Sequence, residues 1–311
     1  MSPPSSSSGS SVLIVGSMAF DDLDLPTGPA RNVVGGSATY ASIAASFYAP
    51  VRIVAVVGDD FPNETLELLG ARDVDCAGVE RAKGKTFRWA GRYAQNLASR
   101  ETLDTQLNVF ADFRPKLPSH YGDSRIVLLG NIHPALQLEV LEKTKSPKLT
   151  IADTMNFWIS GERPALLDVL AKVDVLVVND EEIRQLSGDH NLRRAAAAVM
   201  KMGPKRLVVK RGDAGAMLFD EHGIFFSPAY PLENEVDPTG AGDTFAGAIA
   251  GYLARAERID ANTFRQALMI GAAAASYCVE GVGTTELVRV SRDHLSGRLR
   301  DLYALLDVDR A

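Results

Sequence analysis

Short runs of β-branched and aliphatic residues alternate with helical patterns along most of this chain. A continuous apolar run such as 175–178 is typical of a strand that is buried on both faces. The alternation predicts an α/β fold with a mostly parallel central sheet and helices on both faces. The predicted strands are 12–15, 51–57, 125–129, 149–152, 173–178 and 206–210. The predicted helices are 37–47, 135–145, 163–171, 192–202, 244–256, 263–278 and 292–306.

The alternation is interrupted between residues 83 and 113. Segments 86–93 and 103–110 have the pattern of half-solvated antiparallel strands, and we predict a small β lid contributed by about 18–34 and 83–113. The Pro/Ser/Gly-rich start predicts a flexible tail over 1–11. The rest, 12–311, is expected to be a single domain.

The charge and composition of the chain exclude several classes of partner. Lys and Arg number 33 against 39 Asp and Glu, a net charge of −6, so no global basic field attracts nucleic acid or anionic lipid. No cationic leader and no uncharged apolar run of about 18 residues is present, so no membrane partner is expected. Two cysteines, Cys76 and Cys278, are too few for a disulfide framework. We expect a cytoplasmic protein.

The segment 237–247, with the sequence DPTGAGDTFAG, is the most informative stretch. Gly240 and Gly242 permit a tight turn, and Phe245, Ile249 and Leu253 then mark one face of a helix. A glycine turn that opens a helix presents free N–H groups and the positive end of the helix dipole. The segment therefore predicts an anion site that suits phosphate.

Asp243 is a fixed carboxylate beside that predicted phosphate site, where it would repel the ligand. One explanation is that Asp243 accepts the proton of an alcohol that attacks a phosphoryl group. The other is that it is an acid at a helix start, which is favourable in any first turn. The residues alone leave both explanations open.

The segment 237–247 resembles the C-terminal signature of the ribokinase, or PfkB-type, carbohydrate kinase family, D-x-x-G-A-G-D followed by small residues. The segment 35–41, GGSATYA, resembles the family's N-terminal Gly-Gly segment, and the order of elements agrees over about 12–306. The resemblance implies a ribokinase-like fold and transfer of the ATP γ-phosphoryl group to a hydroxymethyl group of a sugar. It favours the catalytic explanation of Asp243.

The resemblance also implies roles for residues on the nucleotide side. The catalytic base falls on Asp243, and the anion hole on the backbone of Gly240, Ala241 and Gly242. The run from Asn179 to Glu182 is similar to the family's N-x-x-E motif, which implies Mg²⁺ and phosphate binding through water; a capped acidic helix start is the alternative. The turn with Lys210, Gly212 and Gly215 resembles a nucleotide contact, although the family usually has a hydroxyl residue at Lys210. Lys210 and Arg211 are expected either to neutralise phosphate or to be solvated.

For the acceptor, the resemblance implies that Asp21 accepts hydrogen bonds from vicinal hydroxyls and that Gly35 and Gly36 let the backbone approach the sugar. Asn131 follows a predicted strand and is expected to line the acceptor pocket, with a turn role as the alternative. Many sugar-kinase members carry Asn where this chain has Tyr40.

A monovalent cation such as K⁺ is implied beside Asp237 and the carbonyl of Thr239. The expected small-molecule partners are thus ATP with Mg²⁺ and a sugar, and a homodimer through the β lid is a further expectation.

Competing motifs are weaker. Segment 78–86 nearly spells a P-loop, but five residues separate its glycines, and we predict a loop. Gly281-Val282-Gly283 lacks the third glycine of a dinucleotide fingerprint, and the five histidines form no metal pair at helical spacing.

A nucleoside kinase of the same fold, adenosine-like in its acceptor, is the alternative within the class. An inactive sugar-binding regulatory protein is the alternative from another class.

Overall fold

The computed structural model describes residues 10–97 and 99–307, so most of the predicted tail 1–11 lies outside the described residues. The strands are β1 (Val12–Val15), β2 (Ala19–Leu25), β3 (Gly28–Gly35), β4 (Val51–Val57), β5 (Val74–Arg81), β6 (Phe87–Tyr93), β7 (Arg100–Gln106), β8 (Ile126–Leu129), β9 (Leu149–Asp153), β10 (Val175–Asn179), β11 (Arg206–Lys210), β12 (Ala216–Asp220) and β13 (Gly223–Ser227). The helices are α1 (Ser37–Ser46), α2 (Asn63–Gly70), α3 (Pro134–Lys143), α4 (Asn156–Gly161), α5 (Arg163–Leu170), α6 (Asp180–Ser187), α7 (Leu192–Met200), α8 (Ala241–Arg255), α9 (Ala261–Val279) and α10 (Arg292–Ala304).

The larger sheet has the strand order β13-β12-β11-β10-β9-β8-β1-β4-β5. All neighbours pair in parallel except β11 with β12 and β12 with β13, which are antiparallel. Helices α1, α8 and α9 bury one face of this sheet, and α3, α5, α6 and α7 bury the other. The mostly parallel sheet between two helical layers is confirmed. Its parallel strands end at one edge, where ligands gather in open α/β sheets.

The smaller sheet has the order β3-β2-β6-β7, and we call these four strands the lid. Strand β2 pairs in parallel with β6, and the other two pairs are antiparallel. Leu23, Leu25 and Tyr93 form a small apolar cluster against Val282 of the larger part of the molecule. This cluster anchors one face of the lid over the carboxyl edge of the large sheet.

The structure differs from the sequence-based prediction at several elements. Strand β5 takes in the first half of the segment 78–86, which we predicted as a loop. Residues Asn108–Asp112 form a 3-10 turn, where we predicted the end of a strand. Helix α8 begins at Ala241, three residues early, because Gly240 adopts the left-handed conformation and ends the preceding turn. Among the residues that the structure describes, no helix is both long enough and apolar enough to cross a membrane.

Candidate active site

The glycine turn at the start of α8 is closed by contacts that only glycine permits. Gly240 has φ 77°, and a Cβ there would lie 2.4 Å from the ring of Tyr40. The N–H of Ala241 donates to the carbonyl of Pro238 at 3.2 Å, and that of Thr244 to Gly240 at 2.8 Å. The first N–H groups of a helix have no partner within it, and the helix dipole is positive at this end. The turn is therefore built to receive an anion.

Asp243 lies in the first turn of α8 and is half-buried. Burial, followed by the charge of Asp153, raises the pKa of Asp243 to about 7, while Lys210 and Arg100 act in the opposite direction. At the start of α9, hydrogen bonds from Thr263 instead lower the pKa of Asp260. Asp243 is thus unlike an ordinary helix-start acid, and a carboxyl with a pKa near 7 suits a general base at neutral pH.

Asn179 and Glu182 form a capping box at the start of α6. The side-chain oxygen of Asn179 accepts the N–H of Glu182 at 2.7 Å, and the Glu182 carboxylate accepts the N–H of Asn179 at 2.8 Å. Glu182 is only 4% exposed, and burial raises its pKa to about 7 against the opposing charge of Lys210. The capped helix start that was the alternative to a ligand role is present. Its effect is to hold the Glu182 carboxylate at the sheet edge.

Lys210, at the end of β11, lies against the glycine turn. Its Nζ is 3.5 Å from a carboxylate oxygen of Asp153 and 3.0 Å from the position that a Cβ on Gly242 would take. Burial would lower the pKa of Lys210, but the carboxylates of Asp153, Glu182 and Asp243 outweigh it and raise the pKa. The expectation that Lys210 is solvated is wrong, because its side chain is only 20% exposed.

Asp153 is a site residue that the sequence analysis missed. It ends β9 at the same edge as Asn179 and Lys210, and its side chain is 9% exposed. The sequence does contain a signal for Asp153, because it is an acidic residue at the end of an apolar strand. Such positions lie at the edge of an open sheet where ligands bind.

Gly212 and Gly215 flank a 3-10 turn between β11 and β12. Both have positive φ, 58° and 81°, and a Cβ on Gly215 would lie 2.2 Å from the carbonyl oxygen of Ser227. The fold therefore favours glycine at these two positions, independently of any ligand. Their predicted contact with nucleotide stays a prediction.

Asp21, which was predicted to bind the acceptor, lies on β2. It is 4% exposed, and burial together with the charges of Asp237 and Asp243 raises its pKa to about 7. A Cβ on Gly35 would lie 2.0 Å from a carboxylate oxygen of Asp21, and one on Gly36 would lie 2.5 Å from the carbonyl of Ser17. The two glycines make room for these protein atoms, so the structure gives them a role besides the predicted approach to a sugar.

Asn131 follows β8 at the same edge, but both ends of its amide are engaged. The nitrogen donates to the sulfur of Met155 at 3.0 Å, and the oxygen accepts the indole N–H of Trp158 at 2.8 Å. Asn131 therefore joins the loop after β8 to the start of α4. Its predicted contact with the acceptor stays a prediction.

Asp237 is fully buried beneath the glycine turn. Its oxygens accept the N–H of Thr239 at 2.9 Å and of Gly283 at 3.0 Å, and the carbonyl of Thr239 accepts the weak S–H of Cys278 at 3.5 Å. Within residues 10–97 and 99–307, no Lys, Arg or His lies at ion-pair distance from Asp237. A buried carboxylate without a counter-charge is costly, so the donor set fits a monovalent cation.

The lid contacts the glycine turn directly. The hydroxyl of Tyr93 lies 2.9 Å from the hydroxyl of Thr239, and Tyr93 is 8% exposed. Phe87, another aromatic residue of β6, instead stacks on Phe110. The glycine turn therefore lies under the lid.

A helix-start anion site, a carboxyl whose pKa burial raises to about 7 and a covering lid lie together at one edge of a parallel sheet, an arrangement that suits transfer of a phosphoryl group to an alcohol. Residues 14–290 match the family described as pfkB family carbohydrate kinase. The chain belongs to that family, and its fold is ribokinase-like.

Curated relatives and solved structures agree with this family and fold. The chain is 30% identical to the cytidine kinase of Thermococcus kodakarensis over 247 residues, which are 78% of this chain and 88% of that protein. It is 31% identical to the deoxyribokinase of Salmonella typhi over 263 residues, 80% of this chain and 82% of that one. The structure of a putative ribokinase II from E. coli in complex with ATP and Mg²⁺ is similar in fold, with a TM-score of 0.75, 21% identity and coverage of 94% and 99% of the two chains.

Proposed function

We propose that the protein transfers the γ-phosphoryl group of ATP to a hydroxymethyl group of a sugar, with Asp243 as the general base. The observation that carries the proposal is the Asp243 carboxyl, whose pKa burial raises to about 7 in the first turn of a helix that also offers an anion site. In the step, the acceptor oxygen forms a bond to phosphorus, and the bond from phosphorus to the β-phosphate oxygen breaks. Asp243 takes the acceptor proton, and ADP leaves.

The start of α8 stabilises the negative charge on the transferred phosphoryl group. The N–H groups of Gly240, Ala241 and Gly242 are the proposed donors, with that of Ala241 giving up its 3.2 Å bond to Pro238. The Lys210 ammonium, fixed by Asp153 against Gly242, is placed to bind phosphate oxygens of the nucleotide, beside the turn of Gly212 and Gly215. Preorganised donors of this kind stabilise charge without reorganisation at the moment of transfer.

Glu182 is the proposed partner of Mg²⁺, through water. Within the described residues there is no group of three or more His, Cys, Asp or Glu side chains placed to hold a metal ion. That fits Mg²⁺, which keeps several waters and binds through one or two carboxylates plus substrate phosphates. The buried Glu182 carboxylate, held by Asn179, supplies a hard oxygen donor at the sheet edge. When bound, the metal would neutralise phosphate charge.

A monovalent cation such as K⁺ is proposed beside Asp237 and the carbonyl of Thr239. The support is the buried Asp237 carboxylate, which has backbone donors but no cationic partner among the residues described. A cation there would compensate that charge and add positive potential behind the glycine turn.

A nucleoside acceptor is the second candidate. It is favoured by the 30% identity to a cytidine kinase over most of both chains. Both acceptors present a hydroxymethyl group on a ring with neighbouring hydroxyls, which Asp21 could bind. The two candidates therefore share their chemistry at Asp243 and differ in what the pocket holds beyond the ring.

One experiment decides between them. ADP formation from ATP and Mg²⁺ is measured with a panel of sugars and nucleosides, and with Asp243→Asn as the matched control. We expect acceptor-dependent turnover that Asp243→Asn abolishes. A nucleoside as best acceptor would replace the sugar proposal, and no turnover above the acceptor-free rate with any of them would overturn the proposed function and favour a binding protein.

We further propose that 12–311 act as one kinase domain whose lid, from about 18–34 and 83–113, joins two copies in a cytoplasmic homodimer. The outer lid strands β3 and β7 each have one unpaired edge, and such edges pair readily with another strand. Cys76 and Cys278 are free thiols, which suits a reducing compartment. Sedimentation of the purified protein gives its mass in solution, and a monomer at all concentrations would contradict the dimer.

A further inference from the structure

One lid residue that the proposed mechanism does not use is Arg100, the first residue of β7. It lies opposite Tyr93 in the antiparallel pair of β6 and β7, so both side chains are on the same face of the lid. Tyr93 is buried on the glycine turn through Thr239. The Arg100 guanidinium is 5.7 Å from the centre of the Trp89 ring. The lid therefore presents a cation on the face that covers the catalytic turn.

The charge of Arg100 reaches carboxylates on three separate elements. It lowers the pKa of Asp21, Glu182 and Asp243, against the larger rise that burial causes in each. In the described part of the chain, however, Arg100 has no acidic oxygen within ion-pair distance. The guanidinium hydrogen-bonds the side chain of Tyr93, and its other N–H donors can bind a ligand at the centre of an acidic site.

We propose that Arg100 is a catalytic residue that binds the phosphoryl group while it passes from ATP to the acceptor. The proposal rests on the proposed function. Negative charge spreads over the equatorial oxygens of that group, and the α8 amides reach it from below. A guanidinium on the lid binds it from the opposite side, and two parallel N–H···O bonds match the phosphoryl geometry. Closure of the lid through Tyr93 and Thr239 would thereby complete the site only when substrates are covered.

The test compares Arg100→Met and Arg100→Lys with a control on the other face of the lid. Arg92 is suitable because its guanidinium lies 3.5 Å from Asp24 and from Glu101, away from the glycine turn. For each variant, kcat and both KM values are measured with the best acceptor. Binding of ADP, Mg²⁺ and aluminium fluoride with acceptor is measured by calorimetry, since that complex imitates the phosphoryl group in transfer. Melting curves check folding.

We expect Arg100→Met to lower kcat by about 100-fold or more, with changes below about threefold in either KM, and to lose the tight aluminium fluoride complex. Arg100→Lys should retain part of the rate, because an ammonium cannot make the paired bonds. Added guanidinium ion should restore part of the rate of Arg100→Ala. Arg92→Met should behave as wild type.

Two results would overturn the inference. A kcat within threefold of wild type for Arg100→Met would show that the lid arginine does not act on the transferred group. A raised acceptor KM with unchanged kcat would show that Arg100 binds the acceptor instead. Either result leaves the proposed function standing, whereas a wild-type protein that turns over no sugar or nucleoside would overturn both.

Discussion

Replacement of Asp243 by Asn should abolish activity and, at alkaline pH, stabilise the fold. Loss of a general base lowers kcat by about 100-fold to 10,000-fold. The stability effect follows from the pKa of Asp243, which is 3.8 in the unfolded chain and about 7 in the fold. Between these values the folded protein binds more protons than the unfolded chain, so this group makes stability fall as pH rises from about 4 to 7. Asn removes that loss.

The size of the gain can be bounded. A pKa raised from 3.8 to about 7 corresponds to at most about 4 kcal/mol, at about 1.4 kcal/mol for each tenfold change in the protonation constant. Asp243 is half-buried and sits at a favourable helix end. Solvent screening and the lost dipole interaction, about 0.3–1 kcal/mol, reduce the expected net gain to about 1–2 kcal/mol at pH 8. The gain should shrink by more than half at pH 5, where the wild-type carboxyl is largely protonated.

The assay is thermal unfolding without nucleotide at pH 5 and pH 8, together with kcat. Asp260→Asn is the matched control, since Asp260 also begins a helix but hydrogen bonds from Thr263 lower its pKa. It should leave kcat unchanged and give no gain at pH 8. An Asp243→Asn variant with near-normal kcat, or one less stable than wild type at pH 8, would refute the reasoning.

Three further predictions follow from the site. Because Asp243 must be ionised to accept a proton and its pKa is about 7, kcat/KM should decline as pH falls below about 7; a flat profile from pH 5 to 8 would contradict this. Asp21→Ala should raise acceptor KM by about 10-fold or more and leave ATP KM unchanged, whereas Asp22→Ala, which removes an outer contact to Arg88, should change neither; equal effects of the two substitutions would show that Asp21 does not bind the acceptor. K⁺ should raise the rate over tetramethylammonium at equal ionic strength, and identical rates would remove the cation proposal.

The glycine turn could be predicted from the sequence because its chemistry is local. Gly240, Gly242 and Asp243 lie within a few residues, and the start of the helix fixes where their N–H groups and carboxylate point. The central sheet was predictable for a related reason, since strands such as Val175–Asn179 are almost wholly apolar and so report burial on both faces. In both cases neighbouring residues carry the information.

The other features of the site could not be predicted, because they depend on residues that are distant in the sequence and come into contact only in the fold. Lys210 looks like a solvated lysine at a strand end until the sheet places it beside Asp153, which belongs to a strand two places away in the order. Arg100 begins a strand whose every residue is exposed, so no apolar pattern marks it. Its position over the site is set by its pairing with Tyr93, and that pairing follows from the register of the lid. Register over such polar strands is weakly specified by sequence pattern.

The charges of the site explain why a lid should carry a cation. Burial raises the pKa values of Asp21, Glu182 and Asp243 to about 7, so ionising these carboxyls in the folded protein has a cost in stability. In the roles proposed above, those groups serve acceptor binding, metal binding and proton transfer, and each would repel the phosphates of ATP when ionised. Lys210 offsets part of this charge from within the large sheet, where it is always present. In the inference above, Arg100 offsets more of this charge from a separate sheet, so its contribution can depend on closure of the lid. With one cation on the large sheet and the other on the lid, the enzyme would stabilise the transferred phosphoryl group most strongly only after the lid covers the acceptor. This order limits transfer of the phosphoryl group to water.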